Sequence, residues 1–104
     1  ITGVATVDFI NQFKADYAIL GSSSIEADGS LLDFDFKEVS VMQAMMQNAR
    51  TRYLSVEHNQ TGRTALVRVA AITEFDKVFS DRPLPAAVEK QLQDGGIPFY
   101  SAER

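Results

Sequence analysis

The chain has 104 residues, of which 45% are hydrophobic, a length and composition that suit one domain with a packed core rather than a disordered segment. Its 14 acidic against 10 basic side chains give a formal net charge of −4, which speaks against electrostatic binding of nucleic acid by this chain. It lacks cysteine and has a single histidine, which excludes disulfides, zinc thiolates and a multi-histidine metal site within one chain and accords with a cytoplasmic setting; no apolar run is long enough to span a bilayer.

Val4, Val7, Ile10 and Phe13 recur at near-helical spacing and predict an opening helix over residues 4–13. Asp8 and Lys14 interrupt this stretch, so it does not read as a secretory signal. Both ends are expected to be cuts within a larger α/β unit, because the helix has no strand before it. Residues 16–20 read as a first strand, followed by a loop over residues 22–33 that contains the turn signal Asp28-Gly29.

Asp35 and Glu38 have the spacing of a capping box and open a helix over residues 36–49. Val39, Met42, Met46 and Ala49 share one face, which Val41 and Met45 widen, so this helix is expected to be largely buried. Its three methionines fit core packing better than a soft binding surface.

Residues 53–56 form a second predicted strand, with a loop over residues 57–63. Residues 66–70 fit a strand or a short helix. A turn is expected over residues 73–76, then a third parallel strand over 77–79. Pro85 suits the first turn of a helix reaching about Gln93, Gly95-Gly96 end it, and residues 97–100 form the last strand. Strands alternating with helices predict an α/β fold, with a mostly parallel sheet and flanking helices.

In such a sheet the loops after the first three strands lie at one edge, where open α/β sheets bind small ligands. Ser22, Ser23 and Ser24 offer hydroxyl and N–H groups to a sugar hydroxyl or a phosphate, or form an ordinary polar loop. They are not a P-loop, whose glycine spacing and lysine are absent. Glu38 either accepts from a ligand hydroxyl or completes the helix cap. Asp33 and Asp35 suit an acid/base pair or a cation, or simply the helix start.

His58 stands where a general base would, or serves as a hydrogen-bonding loop residue; no motif ties Ser or Cys to it. Gln60, Thr61, Gly62 and Arg63 form a turn that meets an anion or only solvent. Asp81-Arg82-Pro83 is a strand-end carboxylate with a local ion pair, or a stabilising turn. Arg50 and Arg52 suit the negative end of the preceding helix. No nucleophile, base and orienter come together, so no catalytic residue is assigned, and nothing calls for a metal or a cofactor.

Residues 20–39 (LGSSSIEADGSLLDFDFKEV), 57–63 (EHNQTGR) and 78–83 (VFSDRP) together resemble the effector-sensing domain of the DeoR family of bacterial transcriptional repressors. Within that family the stretch from Gly29 to Asp35, followed by Glu38 and Val39, is most similar to the branch whose regulon is that of glycerol 3-phosphate. Two positions depart from the pattern: the usual loop lysine is Gln60, and the second glycine of the first loop is Ser24.

The resemblance implies a sensor with the fold of ribose-phosphate isomerases and CoA transferases. Residues 1–104 would be the C-terminal part of it. The first half of the sensor and the DNA-binding helix-turn-helix would lie outside this chain. The partners implied are a phosphorylated sugar or glycerol 3-phosphate, DNA through the N-terminal domain, further copies in a homo-oligomer, and no membrane. The effector-binding residues expected are Ser22, Ser23, Ser24, Glu38, Gln60, Gly62 and Asp81. The alternatives are a sugar-phosphate isomerase-like enzyme of the same fold and an oligomerisation module without a ligand.

Overall fold

A computed structural model describes residues 3–22, 24–33, 35–58 and 67–102. Helix α1 (Gly3–Ile10) leads into strand β1 (Ala15–Ser22). The helical pattern reaches Phe13 in sequence, but the last residues form tighter turns, with Gln12 N–H donating to Phe9 O and Phe13 N–H to Ile10 O. After β1 come strand β2 (Ser30–Asp33), helix α2 (Phe36–Gln47) and strand β3 (Ala49–Val56). Strand β4 (Val67–Ala71) runs into a 3-10 turn (Ile72–Glu74) and strand β5 (Lys77–Ser80). Helix α3 (Ala86–Asp94) and strand β6 (Phe99–Ser101) complete the fold. Among the described residues no helix is long and apolar enough to cross a membrane.

The main sheet has the order β1-β3-β5-β6, and every neighbouring pair is parallel. The second sheet corrects the expectation of a loop throughout residues 22–33. There β2 pairs antiparallel with β4, Ser30 opposite Ala71 and Asp33 opposite Val67, with a bulge between Leu31 and Leu32. Gly29 makes the preceding turn at φ +89°, and its carbonyl accepts from Ile72 N–H at 2.8 Å, which ties the turn to the end of β4. The same pairing decides the ambiguous segment before Ile72 in favour of a strand.

One face of the main sheet carries the core. Ala18 and Leu20 of β1, Leu54 and Val56 of β3, and Val78 of β5 are buried on it. Against them lie Val39 and Met46 of α2, Val88 and Leu92 of α3, and Leu31, Val69 and Ala70 of the small sheet. The apolar alternation along each strand thus delivers one face to the core, as the pleat requires. Helix α2 is less enclosed than its wide apolar face predicts: Met45 is 36% exposed, because only the stripe through Val39 and Met46 reaches the sheet.

The helix ends are closed by specific bonds. Asp35 accepts from Lys37 N–H at 2.8 Å as the N-cap of α2, so the cap bond falls one residue short of Glu38. Arg52 donates from Nε to Met46 O at 2.8 Å, satisfying a carbonyl at the negative end of α2 as expected. Arg50 instead turns away and pairs with Asp16 at 3.0 Å. Pro85 is the residue that caps α3, and Gly96, at φ +68°, follows its end.

Candidate functional site

The register aligns the carboxyl ends of all four parallel strands: Ser22 is opposite Val56, Val56 opposite Ser80, and Ser80 opposite Ser101. The ladder then continues one residue past each strand. Glu57 N–H donates to Ser22 O at 3.0 Å, Asp81 N–H to Val56 O at 3.1 Å, and Ala102 N–H to Ser80 O at 3.0 Å. The loop residues that follow therefore leave from a fixed and level edge.

Two short turns shape what stands on it. The half-buried Ser22 hydroxyl accepts from Ser24 N–H and donates to Ser24 O, both at 3.4 Å. The buried Ser80 hydroxyl donates to Arg82 O at 2.6 Å and accepts from Arg82 N–H at 3.3 Å. This second turn directs Asp81 toward the end of β3, where His58 meets it. The His58 ring Nδ1 lies 2.6 Å from Asp81 Oδ1, and His58 backbone N–H donates to Oδ1 and Oδ2 at 3.2 and 3.1 Å.

In place of the local ion pair expected within Asp81-Arg82-Pro83, the Asp81 carboxylate finds its hydrogen-bond partner across the strands in His58. The hydrogen bond from the His58 ring holds the Asp81 carboxyl below the usual carboxylate range, assisted by the His58 N–H and by the charges of His58 and Arg82. Both partners stay open to solvent, with side chains 30% and 42% exposed for His58 and Asp81.

Ser22, Ser24 and Asp81 therefore stand on one edge, at the ends of β1 and β5 with β3 between them. Helix α2 leads back from this edge to the start of β3, so the topology puts Glu38, in its first turn, toward the same end of the molecule. Glu38 is exposed there, and among the described residues no hydrogen bond joins it to Ser22, Ser24 or Asp81. Ser23, Gln60 and Gly62 lie outside the described residues, as do Thr61 and Arg63. His58, weighed as a loop residue in the sequence, is the functional candidate that sequence reasoning underrated. The signal available was positional: it and Asp81 both follow closely on the ends of adjacent parallel strands.

A cleft of about 400 Å³ lies toward the amino edge of the sheet between α2, β4 and the 3-10 turn. Three of its polar side chains, Gln43, Arg52 and Glu74, are committed to the backbone. Gln43 Nε2 donates to Val69 O at 2.9 Å, Arg52 to Met46 O and Glu74 O, and Glu74 accepts from Ala71 N–H at 2.8 Å. These bonds clamp helix to strand. Among the described residues no three metal-ligating side chains cluster, and no Ser or Thr hydroxyl of the described residues bonds His58 Nε2.

The family model of the DeoR C-terminal sensor domain matches residues 1–82. The chain is 46% identical over 97 residues to the glycerol-3-phosphate regulon repressor of Escherichia coli, which covers 93% of this chain and 38% of that protein. It is 44% identical over 94 residues to the glycerol-3-phosphate regulon repressor of Haemophilus influenzae, covering 90% and 36%. The HTH-type transcriptional repressor CsqR of Escherichia coli is 34% identical over 97 residues, covering 93% and 37%. The chain thus spans less than two fifths of the length of these relatives.

Proposed function

Because the chain belongs to the DeoR family through the C-terminal sensor domain, we propose that it forms part of the effector site of a cytoplasmic transcriptional repressor. The effector is a small phosphorylated metabolite, either a phosphorylated sugar or glycerol 3-phosphate. The observation that carries this reading is the level carboxyl edge of β1, β3 and β5, with Ser22, Ser24, His58 and Asp81 standing on it. Ligands of open α/β sheets bind at that edge. The names of the two relatives above 40% identity support glycerol 3-phosphate as the first effector to test.

In this reading Ser22, Ser23, Ser24 and Gln60 donate to effector oxygens, Gly62 lets the backbone approach closely, and Glu38 and Asp81 accept hydrogen bonds. Residues 1–104 supply the C-terminal part of the sensor, and the rest of the full-length protein supplies its first half and the DNA-binding domain. Effector binding favours one arrangement of the sensor in a homo-oligomer and thereby weakens operator binding, which requires different affinities for the two arrangements. The activity is regulatory, in keeping with relatives that are transcriptional repressors.

Thermal unfolding of the full-length protein tests this reading. Saturating glycerol 3-phosphate raises the melting temperature by mass action, by an amount that grows with concentration, and glycerol does not. No shift with any phosphorylated sugar or with glycerol 3-phosphate contradicts it.

A further inference from the structure

We propose that His58 is the residue that meets the effector's anionic group at the carboxyl edge, its Nε2–H donating to a phosphoryl oxygen while Asp81 positions the ring. This inference rests on the effector reading above and assigns a role to a side chain which that reading leaves out.

The argument starts from Asp81. Three contacts from one residue, the ring Nδ1 and the backbone N–H to both oxygens, already engage its carboxylate. A carboxylate repels the ligand's anionic group, so toward that group Asp81 serves behind the contact, while it remains able to accept from an effector hydroxyl. The same contacts fix His58 twice, through its main chain and through its ring, so the ring is held in one orientation. With Nδ1 turned to Asp81, Nε2 is the outer nitrogen, and among the described residues it has no partner. Carboxylate-backed imidazole with a free outer nitrogen presents a donor with a fixed direction. In the protonated state it also presents a positive charge, and a charge-assisted bond to phosphate is stronger than a neutral one.

Among the described residues at this edge, His58 is the side chain held in place with a donor turned outward. The β1 end contributes the neutral Ser22 and Ser24, and Glu57 precedes His58 on its own strand end. The β5 end contributes Asp81 with Arg82 beside it, and Arg82 acts on Asp81 only as a nearby charge.

Isothermal titration of the full-length protein with glycerol 3-phosphate tests the inference. The substitution His58→Ala is expected to weaken binding at least about tenfold, while His58→Gln, which keeps a neutral donor near the Nε2 position, recovers part of that loss. Asp81→Asn should weaken binding less than His58→Ala, since the ring remains and the amide oxygen can still accept. The discriminating comparison is between the two His58 variants: recovery by His58→Gln, which restores a donor without the ring, separates a lost hydrogen bond from a merely structural loss.

Binding by His58→Ala at wild-type strength, or binding by His58→Gln no stronger than by His58→Ala, overturns the assignment of His58 and leaves the effector reading standing. Absence of wild-type binding to every phosphate ester tested overturns both.

Discussion

At Gly29 the backbone turns through φ +89°, and an added Cβ would fall onto Gln91 Oε1 and within 3.2 Å of Ile72 Cγ2. The glycine joins β2 to the end of β4 and lies against α3, so neither its torsion nor its lack of a side chain is free to change. Gly29→Ala is expected to cost about 1–2 kcal/mol for the left-handed backbone alone, with the contact to Gln91 adding to it, as read from urea denaturation. Asp81 is governed by charge instead. Its carboxyl is held below the usual range by the His58 ring, so its folded-state value lies under its unfolded one. A group depressed in this way contributes stability above its unfolded pKa, near about 4, and loses it as pH falls through the lower folded value. Melting curves of wild type and Asp81→Asn should therefore differ most above about pH 4 and converge as the carboxylate of the wild type is protonated.

At the scale of the element, the central strand and the main helix set the stability. Leu54 is fully buried in the middle of β3, between β1 and β5 and beneath the helices. Leu54→Ala leaves a cavity in this core and is expected to cost about 2–5 kcal/mol. Asp35→Ala removes the side-chain bond to Lys37 N–H and should cost about 0.5–2 kcal/mol; both are read from chemical denaturation. The parts of the fold legible in sequence are those with a regular apolar period: the helices around Val39 and Val88, and the strands through Leu20, Leu54 and Val78. Strand β2 was not legible, because four residues with two adjacent leucines show no alternation, and its ladder comes from β4, some 35 residues on. At the site, periodicity located the edge and the residues following each strand. It did not reveal that Asp81 pairs with His58, since such a bond depends on the register between β3 and β5 rather than on spacing along the chain.

Across the whole molecule, the two faces of the main sheet differ in kind. One carries the aliphatic core, and the other an aromatic row. Rings of Tyr17, Tyr53, Phe79 and Tyr100 follow one another across the four strands at centroid distances of 5.6, 6.1 and 5.5 Å, with the Lys77 ammonium 5.4 Å from the Tyr53 ring. Tyr17, Phe79 and Tyr100 are exposed, as is Ile19 beside them. The two ends of the sheet differ as well. At the amino edge Gln43, Arg52 and Glu74 bind backbone groups around the cleft, whereas at the carboxyl edge His58 and Asp81 bind each other and remain open. That contrast is the reason for assigning the effector to the carboxyl edge, and amide hydrogen exchange of the full-length protein with and without glycerol 3-phosphate tests it most directly. The account predicts that the ligand slows exchange at residues 56–58 and 80–82 and leaves residues 43–47 and 68–74 unchanged. Protection confined to the amino-edge cleft, with the carboxyl edge unaffected, would contradict it.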